Sequence, residues 1–116
     1  MKVVYVAHPL GSGEDRERNR CNAAKWCAWL AKTYDVAPVA DWITLSGEWD
    51  ESPTNRDLGL RIDVELVKRC DEIIMVGGRV SPGMAIEANA ARMHGILVTD
   101  LTHLGYEVPG WKAESA

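Results

Sequence analysis

Short, unbroken apolar runs alternate along this chain with longer stretches in which apolar residues recur at helical spacing. Val3-Val4-Tyr5-Val6-Ala7 is the first run, and its continuous apolarity predicts a central strand buried on both faces. From Glu14 to about Tyr34 the pattern is helical, with acidic Glu14, Asp15 and Glu17 at the start and Cys21, Ala24, Trp29 and Leu30 among the apolar positions. Asp35 to Ala40 reads as a second strand, and Pro38 places the strand toward an edge or itself among the strand's last residues, because proline gives no N–H to a ladder. Residues 41–55 hold turn residues and two tryptophans, which predicts a long loop of the kind that binds a ligand or covers a site. Asn55 to Arg69 predicts a second helix, with Leu58, Ile62, Leu66 and Val67 as its apolar contacts.

The pattern is most explicit between Asp71 and Ala91. The β-branched run Ile73 to Val76 breaks at Gly77-Gly78, and Ser81-Pro82 then supplies an N-cap and a proline at the first helical position. Ala85, Ala88, Ala90 and Ala91 make that helix slim enough to lie close against a sheet. Gly95 stops it, a fourth strand runs to Asp100, and the polar remainder from Leu101 to Ala116 wraps or frays. The order β-α-β-loop-α-β-α-β predicts one α/β domain over residues 1–116. Its expected architecture is a three-layer αβα sandwich on a parallel, Rossmann-like (flavodoxin-like) sheet of four to five strands with right-handed crossovers. Ligands bind such sheets at the carboxyl ends of the strands, so a residue early in the helix after the third apolar run stands beside the site. That residue is Glu87, which in this setting faces either solvent or the rim of a pocket.

Composition narrows the partners. With 47% hydrophobic and 26% charged residues the chain has the balance of an ordinary soluble domain. A net charge of −4 argues against a nucleic-acid polymer, whose phosphates need a basic surface, but leaves room for a small ligand with one phosphate. Cys21, Cys27 and Cys70 are odd in number and lack metal-ligand spacing, which points to free thiols in a reducing compartment and to no metal. No apolar run is long enough to span a bilayer and the first residues read as a strand rather than a leader, so the expected location is the cytosol, away from membranes.

Four places carry candidate chemistry. The loop His8-Pro9-Leu10-Gly11-Ser12-Gly13 can turn its amides on a phosphate or carboxylate with help from the helix that follows, or be a plain strand-to-helix turn. Arg16, Arg18 and Arg20 read as surface charges in i,i+4 pairs, or as one arm reaching a ligand phosphate. Trp42 or Trp49 can stack on a flat ring or anchor the loop to the body. Asp63 falls at the edge of its helix's buried stripe, either in a surface pair with Lys68 or Arg69 or at a site.

Tyr5 in the first strand, the Gly/Ser loop after it, Asp63 eight residues before Asp71, and Ser81-x-Gly83-x-x-x-Glu87 together resemble the nucleoside 2-deoxyribosyltransferase superfamily. Within it the pattern is most similar to small proteins of the 2'-deoxynucleoside 5'-phosphate N-hydrolase type, over roughly Met1 to Asp100. The resemblance implies that Glu87 is the nucleophile attacking the anomeric carbon, that Asp63 moves a proton to the leaving base, and that Tyr5 orients Glu87. It also implies that Ser81 contacts a 5'-phosphate, where the base-exchanging transferases tend to carry aspartate. Gly83 and Met84 amides with the Gly11-Ser12-Gly13 loop, His8 and Trp42 complete the expected substrate-binding set. His8-Pro9 departs from the usual residues of that loop, and His8 reads as a phosphate ligand, a proton carrier or a loop residue. No cofactor is implied. Relatives complete their sites from a neighbouring subunit, which predicts a homodimer or higher homo-oligomer, with Asn89, Tyr106 and Trp111 as possible contributors. The chemistry this predicts is hydrolysis of the N-glycosidic bond of a (deoxy)nucleoside 5'-monophosphate, with base exchange or non-catalytic nucleotide binding as alternatives.

Overall fold

A computed structural model describes residues 1–110. Four strands, β1 (Lys2–Ala7), β2 (Val36–Val39), β3 (Glu72–Met75) and β4 (Leu97–Asp100), form one parallel sheet in the order β2-β1-β3-β4. Four helices surround it: α1 (Glu14–Thr33), α2 (Trp42–Glu48), α3 (Pro53–Arg69) and α4 (Pro82–Met93). The α/β class, the parallel sheet and the two central apolar strands are those read from the pattern. Pro38 does lie in an edge strand.

Side chains of each central strand alternate between two cores, as the two-residue period of a strand requires. Val4, Val6, Ile74 and Val76 face one way and pack with Trp26 and Leu30 of α1. Tyr5, Ala7, Ile73 and Met75 face the other way and pack with Val67 of α3 and Met84, Ala88 and Ala91 of α4. The small residues at 88 and 91 bring α4 down onto the sheet, and this fixes which side chains of α3 and α4 face each other.

Three local expectations change. Residues 41–55 are not one long loop, since Trp42–Glu48 forms a helix held to α1 by Arg20, whose Nε donates to the Ile43 carbonyl at 2.8 Å. Helix α3 begins at Pro53 rather than Asn55 because Ser52 caps it, its Oγ accepting from Asn55 N at 3.1 Å with proline at N1. In α1, Cys21 and Ala24 are exposed, and the buried stripe is Asn19, Asn22, Ala23, Trp26 and Leu30. The two asparagines hide that stripe from a reading based on apolarity alone. Each is buried because its amide has a partner: Asn19 donates to Leu10 O at 2.8 Å, and Asn22 to Tyr106 O at 2.8 Å. Tyr106 thereby ties the segment after β4 back to α1, where Trp26 Nε1 also donates to its carbonyl at 2.7 Å. Trp111 lies outside the described residues.

Candidate active site

Successive crossovers leave β1 and β3 toward opposite sides, α1 covering one face of the sheet and α4 the other. The two loops therefore part at the carboxyl end of the central strands, and a crevice opens between them, as open α/β sheets generally arrange. It is a cavity of about 710 Å³ lined by the β1–α1 loop, α2, the α2–α3 connection, α3 and the start of α4. That volume lies within the range of small-molecule sites.

At its floor stand two carboxyls. Glu87 is one and a half turns into α4 and 5% exposed, and Asp63 is on the facing side of α3 and 8% exposed. Tyr5, wholly buried in β1, donates its hydroxyl to Glu87 Oε2 at 2.6 Å. Tyr5 does not line the cavity; it sits behind the glutamate and sets its orientation. Burial pushes Glu87 up to about 8, the Asp63 charge adds to the rise, and the Tyr5 hydrogen bond and the Arg56 charge oppose it. Burial also pushes Asp63 up to about 6, with the hydrogen bonds from Glu87 and Tyr5 opposing and the Asp41 charge adding to it. Asp63 Oδ1 is buried with no hydrogen-bond partner among the described residues, and the Asp63 charge acts on the neighbouring Glu87. Between about pH 6 and pH 8 the pair holds one proton and one negative charge. Neither Lys68 nor Arg69 pairs with Asp63, for both pair with Glu65.

His8, Gly11, Ser12, Trp42, Ser81, Gly83 and Met84 all line the cavity with the two carboxyls. The structure corrects the expectation for Gly13, which lies outside the lining and whose N–H already donates to Glu51 Oε2 at 3.3 Å. His8 is buried with both ring nitrogens engaged, Nδ1 with Pro9 O at 2.6 Å and Nε2 with Asn22 Nδ2 at 2.9 Å. An amide NH₂ only donates, so Nε2 accepts and Nδ1 carries the proton. Burial lowers its pKa and Arg79 lowers it further, against the Pro9 hydrogen bond, so the ring stays neutral and is no cationic phosphate ligand. Trp42 is an anchor: its Nε1 donates to Val6 O at 3.0 Å and its ring stacks on His8. Ser81 caps α4, its Oγ accepting from Met84 N at 3.3 Å, so the Met84 amide is taken. Asn89 and Tyr106 do not line this cavity.

Trp49, half-buried, and Arg16 also line the cavity, as one of the alternatives read for each allowed, whereas the arginines Arg56 and Arg79 escape the sequence pattern. Arg16 bonds the Ser46 carbonyl at 3.1 Å and lies 3.9 Å from Glu51, while Arg18 and Arg20 pair at i,i+3 with Asp15 and Glu17 rather than at i,i+4. Arg56 has a legible signal, since positions 56, 60 and 63 share one face of a helix. Among the described residues no cluster of His, Cys, Asp and Glu is suited to a metal ion, and no helix is long and apolar enough to cross a membrane.

A family model described as Domain of unknown function (DUF7768) matches residues 2–101. The chain belongs to the DUF7768 family. No curated protein matches it. The matched span of this DUF7768 domain contains Tyr5, Asp63, Ser81 and Glu87, and it ends just past β4, before the 3₁₀ turn at Thr102–Leu104.

Proposed function

We propose that this DUF7768 domain cleaves the N-glycosidic bond of a (deoxy)nucleoside 5'-monophosphate, releasing the free base. The observation that carries the reading is the buried Tyr5–Glu87–Asp63 group, with its carboxyls on the floor of a nucleotide-sized cavity. It joins the three residues that the resemblance to the deoxyribosyltransferase superfamily singles out, although they come from three different elements.

The pair holds the one proton and the one charge that the reaction needs. Burial raises both carboxyls, and in the empty site the two share one proton. Its passage to Asp63 across their contact leaves Glu87 ionised and Asp63 an acid, without any exchange with solvent. Glu87 then attacks the anomeric carbon and forms a glycosyl ester as the C–N bond breaks, and the Asp63 proton goes to the departing base nitrogen. Asp63, now a carboxylate, takes a proton from water, which displaces Glu87 from the sugar and restores the starting state. Tyr5 holds Glu87 Oε2 throughout, leaving the other oxygen for the carbon. Ser81 rather than an acidic residue at the start of α4 favours a phosphorylated substrate and hydrolysis over base exchange between nucleosides.

The test is incubation with a panel of deoxynucleoside and nucleoside 5'-monophosphates, with free base measured by chromatography. Release that disappears in Glu87→Ala supports the glycosidase. Thermal stabilisation by a nucleotide without release marks a binding domain instead, and no response to any nucleotide refutes both.

A further inference from the structure

One wall of the cavity is held from behind by a residue that does not enter it. Tyr106 stands in the segment after β4, beyond residue 101 where the family match ends, and outside the cavity lining. Both of its polar groups are engaged, each with one of the two buried asparagines of α1. Its carbonyl accepts from Asn22 Nδ2 at 2.8 Å, and the other N–H of that amide goes to His8 Nε2 at 2.9 Å. Its hydroxyl donates to Asn19 Oδ1 at 2.8 Å, and Asn19 Nδ2 in turn donates to the Leu10 carbonyl at 2.8 Å. Two ties therefore run from one residue, through two amides, to His8 and Leu10, which both line the cavity. A planar amide bonded on two sides fixes its partners relative to each other. The ring is held as well, with the Arg18 guanidinium 5.3 Å over it and the His8 ring meeting it edge-on at 5.6 Å. Its backbone rests on the β3–α4 loop, where a Cβ on Gly78 would come within 3.0 Å of Tyr106 N. The loop so tied needs an outside hold, because Gly11 and Gly13 both have positive φ and leave Ser12 between two pivots.

We infer that Tyr106 is a positioning residue for substrate binding, holding residues 8–12 of the β1–α1 loop, through Asn19 and Asn22, in the shape that forms one wall of the cavity. It acts on the wall and not on the floor. Among the described residues, Tyr5, Asp63 and Glu87 share no hydrogen bond with either tie. Loosening the wall therefore weakens the hold on a ligand and leaves the proton and the nucleophile where they are, which separates binding from chemistry. That the ligand is a nucleotide to be cleaved rests on the glycosidase reading, whereas the tie from Tyr106 to the loop is independent of it.

The experiment uses the full chain as wild type, Tyr106→Phe, Asn19→Ala and the double variant. Phenylalanine keeps the ring under Arg18, and the carbonyl stays held by Asn22 and by Trp26 Nε1 at 2.7 Å, so only the hydroxyl tie is cut. Base release from a nucleoside 5'-monophosphate is resolved into kcat and KM, and the amide ¹H–¹⁵N resonances of Leu10 to Ser12 are compared with those of Ala85 to Ala88 in α4. The expected result for Tyr106→Phe is a KM raised about 3- to 10-fold, the worth of one hydrogen bond, with kcat changed less than about twofold. The loop resonances should move while those of α4 stay, and the substitution should add nothing further to Asn19→Ala. A fall in kcat at constant KM, effects that add in the double variant, or loop resonances that do not move overturn the inference. Should Asn19→Ala fail to fold, the kcat and KM of Tyr106→Phe decide. If wild type releases no base from any nucleotide, the glycosidase reading fails and the loop resonances alone decide: moved in Tyr106→Phe with α4 still, they sustain the tie, and unmoved they overturn it.

Discussion

Replacing Glu87 with glutamine should make the protein's stability much less dependent on pH, and the size of the effect follows from the burial of that carboxyl. Its folded pKa, about 8, lies above the 4.5 of an unperturbed glutamate, so between those values the folded chain binds a proton that the unfolded chain has lost. Stability from this group is therefore complete below about pH 4.5 and is lost as pH rises through 8. One tenfold step is about 1.4 kcal/mol, so the wild-type fold should lose on the order of 3 kcal/mol between pH 5 and pH 8 from this residue. In a domain of this size that is a fall in melting temperature of roughly 10 °C. Glutamine has the shape and the hydrogen-bonding pattern of the protonated acid, accepting from the Tyr5 hydroxyl and donating to Asp63. Glu87→Gln should match wild type at pH 5 and exceed it by about 3 kcal/mol at pH 8, as measured by urea or thermal unfolding at both pH values. Wild-type and Glu87→Gln curves that run parallel across that range would show that Glu87 is not a buried, proton-holding group, and the acid–base assignment would fall with it.

The same pair predicts a bell-shaped dependence of kcat/KM on pH. Below about 6 both carboxyls are protonated and no nucleophile exists, above about 8 neither has a proton for the base, and steady-state rates from pH 5 to 9 locate the limbs. Asp63→Asn should abolish base release while keeping nucleotide binding by melting shift, and should lower the pKa of Glu87 by removing the adjacent charge that raises it. Tyr5→Phe removes a donor that opposes the rise of both carboxyls, so both limbs should move to higher pH and unfolding should show a loss of about 1 to 3 kcal/mol. Gly77→Ala should cost about 2 to 4 kcal/mol by denaturant titration, because φ is +99° there and a Cβ would lie 2.6 Å from His8 Cδ2.

Much of this molecule was legible before any coordinates. The unbroken run from Val3 to Ala7, the Ile73–Val76 run with its glycine pair, and the Ser81-Pro82 helix start are local signals, and they dictate a parallel α/β sheet with Glu87 at its carboxyl end. Local signals failed where burial was decided by a distant partner. Asn19 and Asn22 lie in the core because the Leu10 and Tyr106 carbonyls satisfy them, and residues 42–48 coil into a helix against which Arg20 docks. His8 reads in sequence as a phosphate ligand, a proton carrier or a loop residue, and proves to be a neutral ring held between Pro9 and Asn22. The Gly11-Ser12-Gly13 loop reads as an anion cradle or a plain turn, and its Gly13 amide is taken by Glu51, nearly forty residues away in the chain. That Asp63 and Glu87 share one buried floor, and that Arg56 and Arg79 reach the same cavity, were tertiary decisions. A side chain's charge and freedom depend on the solvent and partners that the fold removes or brings, and spacing along a chain does not record these.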